Sequence, residues 1–252
     1  MKRMKVESCF TVLMVIGFVC SWAALPAAAD EWSKTYTLTG QPDLRVDTSD
    51  ANIHVSTWDQ KTIEAKVTTE RYKIGDDGIR IEERQTGDTV EINVHFPRSQ
   101  GVTIDWGNHS NRRVDINIQM PRQGRVDLHT GDGHIDLANF KGEMQLHSGD
   151  GSQDLDSVDG KLRATTGDGH IRAHGRFDEL DLKTGDGSVT LGVPENLGAD
   201  VDLHTGDGHI DLDLPITTEG KIHEGEVRGK LNGGGNLLVI HTGDGSIRLR
   251  KI

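Results

Sequence analysis

Aspartate recurs at a regular interval in the second half of the sequence, each time inside the phrase T-G-D-G or S-G-D-G. Successive copies of this aspartate are 18, 18, 18, 21 and 37 residues apart. A repeat that stacks its copies would bring these carboxylates into a row, and carboxylate oxygens are ligands that Ca²⁺ prefers. The sequence therefore offers six candidate calcium ligands: Asp132, Asp150, Asp168, Asp186, Asp207 and Asp244.

A structural role for the same aspartates in a turn is the favoured interpretation. Glycine on both sides permits positive φ, and an Asp side chain can hydrogen-bond its own backbone. The calcium-binding nonapeptide repeat of secreted β-rolls has a different spacing. Like charges stacked in water repel by only about 1 kcal/mol per pair, so the row can stand without a metal. Calcium binding is kept as the alternative.

Histidine is the second residue type that could bind a ligand. His129 and His147 both come directly before the Thr or Ser of adjacent copies, where two imidazoles could share a zinc or copper ion. His134, His170 and His209 follow the second glycine in every other copy. Solvated surface histidines are the favoured interpretation.

Catalysis is the third possibility, because some large β-helices cleave acidic polysaccharides with Asp and Arg residues in a groove. Aromatic residues, which would stack on sugars, make up only 4% of this chain. The aspartates are spread evenly instead of forming the close acid and base pair that glycoside hydrolysis needs. The sequence therefore predicts a protein that is not an enzyme.

Apolar residues alternate with polar ones on both sides of each T-G-D-G phrase, as Val126 and Leu128 before it and Ile135 and Leu137 after it show. Alternation of this kind predicts two strands joined by a glycine-rich corner, and a looser second corner leads to the next copy. The Thr or Ser before the first glycine falls on the apolar parity. It is therefore predicted to point inward and to hydrogen-bond a corner backbone group.

A unit of two short strands cannot form a core alone. About six apolar side chains, worth roughly 1.5–3 kcal/mol each when buried, do not offset an ordering cost of roughly 1–2 kcal/mol per residue. Stacking supplies the missing contacts. The sequence predicts an all-β protein, a single-stranded β-solenoid (a right-handed β-helix) with rungs of about 18 residues and an N-terminal strand-rich cap.

The first 29 residues have the features of a cleaved signal peptide. Basic residues near the start are followed by the apolar run 9–25 and by the small residues 27–29 before Asp30. An uncleaved membrane anchor is the alternative. Cleavage would remove both cysteines, Cys9 and Cys20, and would change the net charge from −12 to −14. So acidic a chain is not expected to bind nucleic acid or anionic lipid, and no second apolar stretch could span a membrane.

Residues 30–252 are predicted to form one domain, with the cap and opening rungs in 30–113 and the regular repeats in 114–252. Ser49-Asp50-Ala51 stands where G-D-G stands later, and residues 99–113 read as an exposed loop. The last strand, 246–252, is predicted to be an uncovered edge that Arg248, Arg250 and Lys251 protect by charge repulsion. A monomer is therefore expected.

Three stretches carry a resemblance to a known family: V-S-T-W-D at 55–59, the repeated T-G-D-G-x-I, and L-N-G-G-G at 231–235. With them the chain resembles a bacterial family of exported β-strand-repeat domains of unknown function that is labelled "putative adhesin". The resemblance covers nearly all of residues 30–252. It implies a β-helical fold at the cell envelope and no catalytic residues.

The function expected from these features is that of a non-enzymatic exported protein, in the periplasm or at the cell surface. It would act as an adhesin-like or structural protein whose long surface binds an unknown protein or glycan of the envelope.

Overall fold

The computed structural model describes residues 30–70, 72–97, 113–218 and 225–252. The predicted signal peptide with its two cysteines lies outside these residues, as does nearly all of the predicted loop at 99–113. Within the described ranges the regular structure is entirely strand, and no helix is present that could cross a membrane. The all-β, β-solenoid-like architecture expected from the sequence is confirmed.

The strands in chain order are β1 (Asp30–Thr37), β2 (Asp43–Thr48), β3 (Asn52–Trp58), β4 (Thr62–Glu70), β5 (Arg80–Thr86), β6 (Thr89–His95), β7 (Arg113–Pro121), β8 (Gln123–Thr130), β9 (Ile135–Ala138), β10 (Lys141–Ser148), β11 (Gln153–Thr166), β12 (Ile171–Thr184), β13 (Val189–Val193), β14 (Ala199–Thr205), β15 (Ile210–Leu212), β16 (Ile216–Thr218), β17 (Glu226–Leu231), β18 (Asn236–Thr242) and β19 (Ile247–Lys251).

These strands form two rows, joined at one side by the T-G-D-G corners. The first row contains the strands that enter a corner together with β5, β6, β16 and β17, in the hydrogen-bonded order β5, β6, β2, β8, β10, β11, β12, β18, β14, β17, β16. The second row contains the strands that leave a corner together with β1, β4 and β7, in the order β1, β4, β7, β3, β9, β11, β12, β13, β19, β15. The long strands β11 and β12 belong to both rows, because each continues through the second corner.

Equivalent residues of neighbouring copies pair in parallel. Met144 of β10 lies between Val126 of β8 and Leu162 of β11 in the first row, and Asp154 pairs with Asp136 in the second. Parallel pairing in register places like beside like, about 4.8 Å apart. A pattern that appears once in each copy of the sequence therefore becomes a line of side chains across the stack.

The alternation of apolar residues closes one core between the two rows. Ile171 is fully buried whereas its neighbour Arg172 is exposed, and the same alternation holds for Ile135 and Asp136. Buried apolar side chains from both rows belong to a single cluster. The predicted direction of alternation is confirmed, and each fully buried Ile or Leu contributes roughly 1.5–3 kcal/mol to that core.

The C-terminal copy lies inside the stack, so the prediction of an uncovered C-terminal edge is wrong. Strand β18 pairs with β12 on one side and with β14 on the other, and β19 likewise lies between β13 and β15. The 37-residue step explains this order, because it contains β17, which runs antiparallel to β14 and covers its other edge. The final copy thereby gains two hydrogen-bonded neighbours instead of one.

Candidate functional site

The stacked turns form what we call the corner ladder, which consists of the six T/S-G-D-G corners and the equivalent turn at residues 48–51. The pairing of the flanking strands fixes the spatial order of its aspartates, which differs from the chain order at one end. Asp244 stands between Asp186 and Asp207. Along the ladder the order is Asp50, Asp132, Asp150, Asp168, Asp186, Asp244, Asp207.

Glycine is required in these corners because neighbouring backbones approach closely. A Cβ atom on Gly169 would lie 2.1 Å from the carbonyl oxygen of Gly151, and one on Gly187 would lie 1.8 Å from that of Gly169. None of the corner glycines has a φ in the left-handed region. The sequence-based reason for glycine, access to positive φ, is therefore wrong here, and the lack of a side chain is what the corner uses.

The hydroxyl residues of the ladder point inward, as predicted, and they join one copy to the next. Thr166 Oγ1 donates to the carbonyl oxygen of Gly151 at 2.9 Å, and Thr184 Oγ1 does the same to Gly169 at 3.0 Å. These bonds satisfy the buried hydroxyl and a carbonyl of the preceding corner together. The set is buried throughout: Thr130, Ser148, Thr166, Thr184, Thr205 and Thr242.

The copy that contains Ser148 and Gln153 departs from this hydrogen-bond pattern. Ser148 donates to Gly151 of its own corner at 2.6 Å instead of to the previous copy. Gln153 occupies the buried place where other copies carry Ile or Val, and its amide donates to Ser148 Oγ at 3.0 Å and to Thr165 O at 2.8 Å. The sequence signals this departure, because the same copy has Ser in place of Thr and Gln in place of Ile or Val.

The aspartates of the ladder are exposed, and the structure places them in a line. Within the described residues no hydrogen bond to the six candidate carboxylates is present, so the expected bond from each Asp to its own backbone is not found there. In-register pairing sets the copies about 4.8 Å apart, so an ion in the line could reach at most two of these carboxylates. Calcium binding at Asp132, Asp150, Asp168, Asp186, Asp207 and Asp244 therefore stays a prediction.

Asp50 at the first corner differs from the later aspartates. Partial burial raises the pKa of its carboxyl group, and the neighbouring negative charge of Asp132 raises it further. Both effects disfavour the ionised form. The first corner thus carries a carboxylate that the fold destabilises slightly at neutral pH.

The two histidines proposed as a zinc or copper pair do lie together. The rings of His129 and His147 are edge to face with their centroids 4.8 Å apart. Insertion of the last copy creates a second such pair, His204 and His241, at 5.9 Å, which chain order could not reveal. Among the described residues neither pair gains a third His, Asp or Glu within ligand distance. Each pair therefore offers an ion two protein ligands.

The buried polar residues determine what chemistry the interior can perform. Within the described ranges they are Thr48, Thr69, Gln153 and the six inward hydroxyl residues of the ladder. The buried titratable side chain among the described residues is Tyr36, and burial and the neighbouring Glu83 carboxylate raise the pKa of its phenol, so it stays neutral. Catalytic groups are usually found where burial or a close charge shifts a pKa strongly in a cleft. The charged side chains of the described residues lie instead on the outer faces.

The fold and the ladder together define a repetitive, β-solenoid-like all-β protein. The family model described as Toastrack DUF4097 matches residues 42–250, and the chain belongs to this family. No curated protein matches the chain.

Solved structures from several bacteria are similar to this chain. A "putative cell adhesion protein" from Clostridium sporogenes is similar with a TM-score of 0.55 and 15% identity, over 89% of this chain and 100% of that one. A "putative lipid binding protein" from Parabacteroides distasonis gives 0.36 and 12%, over 87% and 96%. A "putative adhesin" from Bacteroides fragilis gives 0.34 and 12%, over 88% and 98%. The likeness to the first of these structures shows the fold alone.

Proposed function

We propose that this protein is a non-enzymatic, exported β-solenoid that binds a protein or glycan of the cell envelope along its outer faces. The observation that carries the proposal is the division between interior and surface. The repeated Thr and Gly residues are explained by stacking, and the described interior holds no charged residue. What the repeat displays to solvent is two long rows of polar side chains, which suit an extended binding surface better than a catalytic cleft.

The remaining parts of the proposal rest on the sequence. Residues 1–29 act as a signal peptide, residues 30–252 form one domain in the periplasm or at the cell surface, and the protein is a monomer. The winding is right-handed. The rungs have about 18 residues, and the 18-residue spacing of successive corners supports this length. The description of the Clostridium sporogenes relative as a cell adhesion protein agrees with the proposed role.

The test measures binding of the labelled protein to envelope fractions of the cells that produce it. Two double variants reverse solvent-accessible charges on one face each. One changes Arg163 and Arg228 to Glu in the first row, and the other changes Arg248 and Arg250 to Glu in the second row. We expect one variant to weaken binding at least tenfold while the other binds as the native protein does.

Two results would contradict the proposal. Equal binding of the native protein and both variants would show that neither outer face is used. Release of new reducing ends from envelope polysaccharide incubated with the protein would show an enzymatic activity.

The calcium alternative is favoured by one observation, the absence of described hydrogen-bond partners for the six ladder carboxylates. Thermal unfolding with and without a calcium chelator separates the alternatives. Equal Tm values support a turn role for the aspartates. A large loss of Tm in chelator, reversed by added Ca²⁺ and absent in an Asp168→Ser variant, would support calcium binding.

A further inference from the structure

A histidine and two aspartates converge on the outer face of the second row, away from the corner aspartates. His134 comes directly before β9 and Asp136 is its second residue, so both side chains point to the same side of the strand. Asp154 on the neighbouring strand β11 pairs directly with Asp136. Two copies of the repeat thus contribute to one cluster.

The side chains of this cluster lie within hydrogen-bond distance of His134. His134 Nε2 lies 2.8 Å from Asp136 Oδ1 and 3.2 Å from Asp154 Oδ2. One ligand atom from each of the three residues can be chosen so that all lie within 4.8 Å of one another, and among the described residues this holds for no other group of three His, Cys, Asp or Glu residues. Each side chain is about one-third exposed, so an ion can reach it from solvent.

The donor set selects the kind of ion. One imidazole nitrogen with two carboxylate oxygens suits a borderline divalent metal such as Zn²⁺, whereas Ca²⁺ and Mg²⁺ prefer oxygen alone. Zinc bonds of about 2.0–2.1 Å in a tetrahedron separate two ligand atoms by about 3.3 Å. The two separations from His134, 2.8 and 3.2 Å, lie within about 0.5 Å of this value, and the two carboxylate oxygens lie within 4.8 Å of each other.

The outer oxygens of both carboxylates are already held by other residues. His54 Nδ1 lies 2.6 Å from Asp136 Oδ2, and the Arg172 guanidinium donates to Asp154 Oδ1 at 3.0 Å. The oxygens nearest His134 are Asp136 Oδ1 and Asp154 Oδ2, and the second of these also accepts a longer hydrogen bond from Arg172 at 3.3 Å. Groups that bind the far oxygen of a ligating carboxylate fix its direction, which is the arrangement that tunes many metal sites.

A second His-x-Asp pair in the same row shows what the cluster would look like without its third ligand. His209 Nε2 lies 3.5 Å from Asp211 Oδ2, two residues along β15. The residue that pairs with Asp211 is Arg248, so a cation stands where Asp154 stands in the other cluster. This pair offers one carboxylate beside a positive charge and serves as the matched control.

We propose that His134, Asp136 and Asp154 form a zinc site on the outer face of the second row. The ion joins β9 to β11 and keeps one coordination position open to water. His54 and Arg172 are positioning residues that hold the two carboxylates. The site is independent of the proposed envelope partner and differs from the predicted calcium ladder in both residues and metal.

The test is a competition titration of the purified, metal-stripped protein against a zinc-sensitive dye. We expect one Zn²⁺ per chain for the native protein. We expect the Kd to rise at least tenfold in His134→Ala and in Asp154→Asn, and to stay unchanged in His209→Ala. Circular dichroism of each variant checks that the fold is retained, which the partial exposure of all three side chains favours.

A second measurement reports the ligand set directly. Co²⁺ bound in place of Zn²⁺ should give visible absorption bands that His134→Ala abolishes and His209→Ala leaves intact. The proposal is overturned if the native protein binds no zinc, if both histidine variants lose zinc equally, or if an equal concentration of Ca²⁺ displaces the ion.

Discussion

At the scale of single residues, the corners require glycine because a carbonyl oxygen of the adjacent copy lies close to each Cα atom. The two glycines of one corner differ in how close that oxygen lies. A Cβ on Gly169 would be 2.1 Å from Gly151 O, whereas one on Gly167 would be 2.7 Å from Gly149 O. Both contacts are with backbone, which a strand ladder holds in place, but the first requires a much larger shift.

We therefore expect Gly169→Ala to lower the free energy of unfolding by about 3 kcal/mol and Gly167→Ala by about 1 kcal/mol, since overpacking costs grow with the shift that they force. Urea denaturation followed by circular dichroism measures both values. Equal costs for the two variants would show that the close approach is not what fixes glycine here.

The pH dependence of stability should carry a signature of Asp50. Burial and Asp132 raise the pKa of its carboxyl group above the ordinary 3.8, so ionisation opposes folding at neutral pH. This penalty is relieved as the pH falls through the raised pKa, and it vanishes below 3.8, where the unfolded chain is protonated as well. Asp50→Asn should therefore raise Tm at pH 7 and leave it unchanged at pH 3.

Asp88 provides the control with the opposite sign. Backbone N–H groups of Gly40 and Thr39 donate to its carboxylate and lower its pKa. Its ionised form therefore stabilises the fold above the ordinary pKa, and that contribution is lost as the pH falls. Asp88→Asn should lower Tm at pH 7. A shift of the same sign for both variants would contradict the assigned environments.

At the scale of strands, the sequence predicted what a single copy determines and missed what depends on neighbours. The alternation that buries Ile171 and exposes Arg172 is local, so it could be read directly. The insertion of β18 between β12 and β14 could not be read from the sequence. The copies present equivalent residues, so either β14 or β18 fits beside β12 by the same pattern. The zinc cluster was missed for the same reason, since Asp136 and Asp154 meet only through strand register.

The basic residues of β19 have a different role from the one expected. Arg250 pairs with Asp213 at 2.7 Å and Lys251 with Glu195 at 3.0 Å, while Arg248 lies 3.9 Å from Asp211. These cations neutralise acidic residues of the same molecule and do not guard an open edge.

We accordingly expect the protein with Arg248, Arg250 and Lys251 all changed to Thr to sediment as a monomer, as we expect for the native protein. Exposed ion pairs contribute roughly 0–1 kcal/mol each, so the loss of three should lower the free energy of unfolding by about 3 kcal/mol at most. Linear oligomers of the variant at a concentration where the native protein is monomeric would restore the protective-edge interpretation.

At the scale of the whole molecule, the two ends of the stack are closed differently. Strands β1 and β5 are the outermost strands at one end, and β5 carries Arg80, Glu82, Glu83 and Arg84. At the other end the outermost strands β15 and β16 have three residues each. Charged edges and very short edges are two established ways to prevent growth by strand addition. The proposed monomer is consistent with both.

The order of the copies also makes the C-terminal third depend on the last residues of the chain. Strand β15 pairs only with β19 among the described strands, and β14 pairs only with β17 and β18. A variant that ends at Gly235 lacks β18 and β19. It would leave β14, β15 and β17 without their connection to the stack, while β8 and β10 keep both of their neighbours.

Hydrogen exchange followed by mass spectrometry tests this dependence, since amides of a detached unit lose their protection. In the shortened variant we expect fast exchange in β14, β15 and β17 and nearly native protection in β8 and β10. Retained protection of β14 would contradict this dependence. It would mean that β14 pairs directly with β12, which the similarity of the copies allows. In that case any copy could follow any other, and the inserted order would reflect the available chain length and not a preference of the strands.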